Sequence, residues 1–182
     1  MKVHQLFSKL KHMTRKSHSE VMTSLSATDE HYTPESLIMM ARLFLGVKYF
    51  DLDIANNSVN STLANRSYTI DNSALREENS WASSSLWCNP PFSLNLAFSQ
   101  KLVRELPRIE KAVWLSKCDC RPTWARLLLD NSVGMVLVKG YVRFNSSNNA
   151  PFGVIMHLFN DIDLGQVDRL CRQSKDYVLF KK

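Results

Sequence analysis

Hydrophobic residues along the chain are spaced in two alternating patterns, which predict helices and strands in turn. Over residues 32–46, "YTPESLIMMARLFLG", apolar side chains fall on one face of a helix: Leu37, Met40, Ala41, Phe44 and Leu45. Thr33 is placed to cap this helix, Pro34 suits its first position, and Gly46 stands where a helix commonly ends. The next segment, "KYFDLDIA" at 48–55, alternates apolar with polar residues, which is the pattern of a strand.

The rest of the chain continues this alternation. It predicts a short strand near "RSYTI", a strand at "SLWC", a helix that Pro107 ends, a strand at "AVWLS", a helix around Trp124, and two closing strands, "GMVLVKGYVRF" and "FGVIMHLF". Strands that alternate with helices indicate an α/β fold, in which ligands bind at the carboxyl ends of the strands. A chain of 182 residues is long enough for one such domain and short for two.

Two acidic residues, Asp51 and Asp53, lie on the first predicted strand. In the centre of a parallel sheet both faces of a strand are covered, and a carboxylate there is costly unless it serves a purpose. The two acids therefore predict a ligand-binding edge at the end of this strand. The alternative is an edge strand with one face in water.

The charge of the chain favours a polyanionic partner. The net charge is +6 and the sequence pI is about 9.2, while no apolar run approaches the roughly 20 residues that a membrane span needs. The first 19 residues hold five Lys or Arg and no acid, and we treat residues 1–30 as a basic segment preceding a catalytic domain at 31–182. Three interpretations stay open for this segment: a solvated tail, a mitochondrial targeting sequence, or an arm that contacts phosphates through Lys9, Lys11, Arg15 and Lys16.

Cysteine usage indicates a reducing compartment. The stretch that begins this sequence lacks a secretory pattern, so the four cysteines are expected to be reduced thiols in a cytoplasm. Cys118 and Cys120 have no second ligand pair at the spacing of a zinc site, so no metal is predicted.

The segment "SLWCNPPFSL" predicts the chemistry. Two prolines end the strand abruptly and fix the backbone beside Asn89 and Phe92. The Asn89 side-chain oxygen and the Pro90 carbonyl can together accept both hydrogens of an exocyclic amino group, which frees the nitrogen lone pair to attack an electrophilic methyl. An aromatic ring two residues on can stack against a base that has been flipped out of a duplex. The alternative is an ordinary proline-rich turn with Phe92 in the core.

"NPPF" resembles the catalytic motif of S-adenosylmethionine-dependent amino methyltransferases. The chain is more narrowly similar to the bacteriophage and prophage DNA N6-adenine methyltransferases of the Dam type. The similar pieces follow in family order from about Tyr32 to Phe159: "YTPESLI", "FDLDIA", "YTIDNSAL", "LWCNPPFS", "VWLSKCDCRPTW", "KGYVRF" and "NAPFGVIMHLF". The resemblance implies a single-domain, Rossmann-like class I methyltransferase fold, with a mostly parallel sheet closed by an antiparallel hairpin.

The same resemblance implies roles for individual residues. Asn89, Pro90, Pro91 and Phe92 would form the grip on the target adenine. Residues implied near S-adenosylmethionine are Tyr32, Thr33, Asp53 with Asp51 as the competing assignment, Asp71 or Asn72, and Asn89. Residues implied near double-stranded DNA are Lys139, Arg143, Phe144 and Arg121. The implied setting is the cytoplasm of a bacterial host, with the protein acting as a monomer or weak dimer.

Three features depart from the family's pattern. The first strand is followed by "IANNS" without the usual glycines, residues 54–70 contain no carboxylate to bind a ribose, and "KCDCRPT" stands where "PADT" is common. Two other functions therefore stay open. One is methylation of an amino group in RNA or protein, and the other is a catalytically weak relative that binds DNA or a host protein.

Overall fold

The computed structural model describes residues 32–57, 63–144 and 150–182. In these ranges four helices accompany one seven-stranded sheet. The helices are α1 (Glu35–Leu45), α2 (Asn95–Glu105), α3 (Thr123–Asn131) and α4 (Leu164–Ser174). The strands are β1 (Phe50–Asp53), β2 (Ala64–Ser67), β3 (Leu86–Cys88), β4 (Lys111–Lys117), β5 (Gly134–Val138), β6 (Val154–Asn160) and β7 (Tyr177–Lys181).

The sheet has the order β2-β1-β3-β4-β6-β5-β7. The first four strands in this order are parallel, and the remaining pairs, β4–β6, β6–β5 and β5–β7, are antiparallel. Strand β5 consequently runs in the same direction as β1 to β4. Strand β6, which lies between β4 and β5, runs in the opposite direction. The carboxyl ends of β1, β3, β4 and β5 therefore meet at one edge of the sheet, which we call the catalytic edge.

Helices cover both faces of the sheet. One apolar cluster joins α1 and α4 to residues such as Phe50 and Trp87, and a second joins α2 to residues such as Leu52, Leu86 and Trp114. Strand β1 lies between β2 and β3, which excludes the edge-strand alternative. Among the described residues no helix is long and apolar enough to cross a membrane.

Strand β1 departs from regular alternation. The amides of Asp51 and Leu52 both donate to the carbonyl of Ser85, at 3.0 Å each, as in a β-bulge where two residues oppose one. Phe50 and Leu52 therefore belong to clusters on opposite faces, although strict alternation places them on the same face. This irregularity separates the surroundings of Asp51 from those of Asp53.

Most predicted elements are confirmed, with three corrections. Pro34, not Thr33, is the residue before α1, and no side chain caps this helix, whereas Gly46 ends it as predicted with φ 65°. The short strand predicted near "RSYTI" is β2, Ala64–Ser67, whereas β5 ends at Val138, so that residues 139–144 are not strand. Finally, the two closing strands pair antiparallel as predicted, but α4 and β7 follow them, and β7 extends the sheet beyond β5.

Candidate active site

Three chemically distinct side chains lie at the catalytic edge on neighbouring strands. Asp53 is the last residue of β1, Asn89 directly follows β3, and Lys117 is the last residue of β4. The register pairs Asp53 with Trp87 and Cys88 with Trp114, so these strand ends are adjacent in space. The edge carries an acid, an amide and an ammonium in that order.

The carboxylate of Asp53 is buried, with 1% of the residue exposed. Its Oδ1 accepts the amide hydrogen of Ala55 at 3.0 Å, and its Oδ2 accepts from Nδ2 of Asn56 at 3.3 Å. Burial raises the pKa of the neighbouring Cys88 thiol, and the charge of Asp53 raises it further, so this cysteine stays a thiol. Asp53 thus brings a negative charge to the edge and fixes the start of the following loop.

Asp51 has a different role in the structure. Its Oδ2 accepts from Nη2 of Arg66 at 3.2 Å and from the amide of Ser84 at 3.1 Å. The same Arg66 nitrogen donates to the carbonyl of Ala82 at 2.8 Å. Asp51 therefore joins β1 to β2 and to the segment before β3, two residues before the strand end that Asp53 occupies.

Asn89 is oriented by a residue 56 positions earlier. Its Nδ2 donates to Oγ1 of Thr33 at 2.9 Å, and Thr33 is 7% exposed. Pro90 is buried, and Pro91 begins a short 3-10 turn, Phe92–Leu94, that continues directly into α2. The Thr33 hydroxyl, predicted from the sequence to cap α1, instead contacts the amide that carries the predicted chemistry.

Aromatic rings and an ammonium surround Phe92 on the β4 side. Nζ of Lys117 lies 3.8 Å from the centroid of the Phe92 ring and 4.6 Å from that of Phe152. The Phe92 and Phe152 rings are perpendicular with centroids 5.4 Å apart, and Phe144 lies 6.1 Å from Phe152. We call Phe92, Phe144, Phe152 and Lys117 the aromatic cluster.

This combination of a buried acid, an oriented amide in an Asn-Pro-Pro-Phe turn and an aromatic cluster agrees with the comparison with known families. The model of one family, DNA N-6-adenine-methyltransferase (Dam), matches residues 20–154. The chain belongs to the Dam family. No curated protein sequence matches the chain. The Dam match covers α1 to β5 and the loops at the catalytic edge, whereas α4, β7 and all but the first residue of β6 lie beyond it.

Two members of the aromatic cluster, Lys117 and Phe152, were not predicted as site residues. Lys117 stands in "SKCD", and Phe152 stands in the quoted segment "NAPFG". The local sequence did carry a signal for Phe152, because this aromatic residue lies between a proline and a glycine at the start of a predicted closing strand. Nothing in the local sequence links Lys117 to Phe92, because this contact depends on the adjacency of β3 and β4.

The backbone of Lys117 is held from the neighbouring strand. The Ser116 hydroxyl donates to the Lys117 carbonyl at 3.1 Å and lies 3.1 Å from Nε2 of His157 on β6. Burial lowers the pKa of His157 to about 4, so its imidazole is neutral at neutral pH. His157 therefore supports the end of β4 and does not supply a charge there.

The remaining predicted cofactor residues lie on a separate loop. Asp71 and Asn72 are exposed, and the carbonyl of Asp71 accepts from Arg76 at 2.8 Å. Oδ1 of Asn72 accepts from Nδ2 of Asn79 at 2.9 Å, which closes the segment 71–79 on itself. We call this segment the 71–79 loop. Tyr32, also predicted near the cofactor, is half-buried immediately before Thr33.

The residues predicted to contact DNA fall into three groups. Lys139 and Arg143 are exposed beyond the end of β5, whereas Phe144 is buried in the aromatic cluster. Arg121 is exposed and binds both carboxylate oxygens of Asp119, and the Arg121 hydrogen bonds lower the pKa of that carboxyl. The N-terminal basic residues Lys9, Lys11, Arg15 and Lys16 lie outside the described residues.

Across the described ranges, no three His, Cys, Asp or Glu side chains cluster in a way that could hold a metal ion.

Proposed function

We propose that this protein transfers a methyl group from S-adenosylmethionine to N6 of an adenine flipped out of double-stranded DNA. The observation that carries the proposal is the orientation of Asn89 by Thr33, between a buried carboxylate on one side and the aromatic cluster on the other. The strand order, with β6 antiparallel between β4 and β5, supports assignment to the Rossmann-like class I methyltransferases. The proposed location is the cytoplasm of a bacterial host, where chromosomal DNA is accessible.

Asn89 and Pro90 are proposed to bind the target amine. Because Nδ2 of Asn89 donates to Thr33, this amide directs its oxygen away from Thr33, where it can accept one N6 hydrogen. The Pro90 carbonyl, fixed by two successive prolines, accepts the other. These two bonds localise the lone pair on N6. With the donor bound, the N6–carbon bond would form as the sulfur–carbon bond of the donor breaks, and the surplus N6 proton would pass to solvent.

The residues near Asp53 fit the amino acid part of S-adenosylmethionine. When bound, this cofactor supplies a methyl group on a positively charged sulfur. An ionised carboxylate has about four acceptor positions, so Asp53 can bind an ammonium group while keeping its bonds to Ala55 and Asn56. Thr33 and the exposed Asn72 are the proposed contacts to the methionine carboxylate and to the adenine ring of the cofactor, respectively.

The aromatic cluster is proposed to hold the flipped base. An adenine stacked on the face of Phe92 that Lys117 covers would displace this ammonium, which lies 3.8 Å from the ring centroid. Cation–π contacts contribute about 0.5–1 kcal/mol at exposed sites and about 2 kcal/mol when desolvated, whereas base–aromatic stacking contributes about 1–3 kcal/mol. Stacking of the base can therefore offset the loss of the ammonium contact. Once displaced, Lys117 is proposed to contact DNA phosphates together with Lys139, Arg143 and Arg121.

The test is incubation of the purified protein with S-adenosylmethionine carrying a labelled methyl group, in parallel with duplex DNA, RNA and protein substrates. Label in DNA, recovered as N6-methyladenine after digestion, is the expected result. Label found only in RNA or only in protein would identify that molecule as the substrate in place of DNA and would leave the proposed chemistry unchanged. Absence of label from all three, with retained DNA binding, would identify a catalytically weak binding relative and overturn the proposal.

A further inference from the structure

A lysine buried on α2 connects the Asn89–Phe92 turn with the 71–79 loop. Lys101 is 2% exposed, and its Nζ donates to three backbone carbonyls of that loop: Ala74 at 2.8 Å, Arg76 at 2.6 Å and Asn79 at 2.8 Å. An ammonium group has three hydrogens, and here each one has an acceptor on the loop. This is an unusual use of a lysine, because charged residues are rarely buried without an ionic partner.

The surroundings of Lys101 show why the buried charge is tolerated. Its Nζ lies 5.5 Å from the centroid of the buried Trp81 ring, whose own Nε1 also donates to the Ala74 carbonyl, at 3.0 Å. Burial lowers the pKa of Lys101, while the charges of Glu105 and Glu77 act in the opposite direction. Three carbonyl acceptors around Nζ are the arrangement that a protonated amine requires.

The position of Lys101 along α2 gives these contacts a consequence for the site. The helix begins at Asn95, directly after the 3-10 turn that starts with Phe92, and Lys101 lies six residues further on, about 9 Å along the helix axis. The Asn89–Phe92 turn and Lys101 are therefore parts of one rigid segment. The loop that Lys101 binds carries Asp71 and Asn72, the residues proposed to approach the adenine of the cofactor.

We infer that Lys101 is a positioning residue for S-adenosylmethionine: its three hydrogen bonds fix the 71–79 loop relative to the turn that binds the target amine. This inference rests on the proposed function, since it takes the 71–79 loop as part of the cofactor site. Hydrogen bonds hold a loop in a narrow range of positions because they weaken steeply with misalignment. The cofactor's adenine end and the methyl acceptor are thereby kept at a constant separation.

The chain provides a matched control on the same helix and the same loop. Nη2 of Arg104 lies 3.9 Å from Oε1 of Glu77, and these side chains are 60% and 75% exposed. Both Lys101 and Arg104 thus connect α2 to the 71–79 loop with a positive charge, one through buried hydrogen bonds and the other through an ion pair in water. Exposed pairs of this kind contribute little to the position of a loop.

The experiment compares Lys101→Met, Lys101→Arg and Arg104→Met with the parent protein. Calorimetry measures the affinity for S-adenosylmethionine well below each melting temperature, and initial rates give kcat and KM for the cofactor with duplex DNA. We expect Lys101→Met to raise the cofactor Kd and KM at least tenfold, while kcat at saturating cofactor stays within threefold. Arg104→Met should change the Kd less than twofold.

Lys101→Arg keeps the charge but not the geometry, because a planar guanidinium cannot direct three donors to three carbonyls around one nitrogen. Lys101→Arg should therefore raise the cofactor Kd, but less than Lys101→Met does. It is the variant to measure if Lys101→Met does not fold. A folded Lys101 variant with the parental Kd and KM would overturn the inference, as would equal losses for Lys101→Met and Arg104→Met. A parent protein that neither binds the cofactor nor methylates DNA would instead overturn the proposed function.

Discussion

On the β1 side of Asn89 the candidate site is held by hydrogen bonds between polar groups, whereas on the β4 side it is held by rings around an ammonium. The first side includes Asp53, which accepts from Ala55 and Asn56, and Thr33, which accepts from Asn89. The second side is the aromatic cluster, in which Lys117 lies over Phe92 and Phe152. Asn89 stands between the two.

The difference follows from what each side is proposed to bind. Hydrogen bonds between buried groups require narrow distances and angles, so they keep one arrangement before and after a small ligand binds. Contacts between rings and a cation tolerate rotation and displacement, since their energy varies slowly with geometry. A preformed side suits a soluble cofactor, and a side that can rearrange suits a base that arrives from a duplex.

The largest effect is expected at the boundary between the two sides. Asn89→Ala removes the acceptor that draws out the N6 lone pair in the transition state. It should lower kcat by at least about 100-fold, as loss of one preorganised polar contact does in other enzymes. Binding of cofactor and of DNA should change much less. Methylation by Asn89→Ala at the parental rate, measured with labelled S-adenosylmethionine, would show that this turn is not the catalytic centre.

Phe92→Ala should weaken binding of the flipped base on the aromatic side and leave cofactor binding on the polar side unchanged. It removes a stacking surface that contributes about 1–3 kcal/mol per base, equivalent to roughly 5- to 150-fold in retention of the flipped adenine. The fluorescence of 2-aminopurine at the target position measures this retention, and calorimetry should show an unchanged cofactor affinity. Phe92→Tyr, which keeps the flat ring, is the control. A lower cofactor affinity in Phe92→Ala would mean that the two sides are not separate.

Asp53→Asn tests the polar side in the same way. Loss of the negative charge should weaken S-adenosylmethionine binding at least tenfold, about 1.4 kcal/mol, in calorimetry. Asp51→Asn is the matched control, because its carboxylate binds Arg66 and Ser84 and not the catalytic edge. That variant should lower the melting temperature while leaving the cofactor Kd within twofold. The reverse pattern would assign the cofactor contact to Asp51.

The smallest effect is expected at Lys117. Lys117→Ala removes the ammonium that a base must displace from Phe92, which should increase 2-aminopurine retention about two- to fivefold, from about 0.5–1 kcal/mol. Lys111→Ala, at the opposite end of the same strand, controls for the loss of one positive charge. Reduced retention in Lys117→Ala, relative to Lys111→Ala, would show that the ammonium supports the bound base and does not compete with it.

Local patterns in the sequence were sufficient for the elements that carry the chemistry. The helix that ends at Gly46, the strand that ends at Asp53 and the proline turn after Cys88 all lie where apolar spacing and backbone restrictions place them. Helix α4 is absent from the predicted elements, although Leu164, Val167 and Cys171 follow a helical spacing. Its signal was present in the sequence.

The partners of the site residues were decided by the tertiary structure. A sequence shows that Asn89, Lys101 and Phe92 are an amide, a cation and a ring, because residue type and local spacing are local properties. It does not show that Asn89 binds Thr33, that Lys101 binds three carbonyls 22 to 27 residues away, or that Lys117 lies on Phe92. Those contacts depend on which elements are neighbours in the fold, and this is decided by packing both faces of the whole sheet at once.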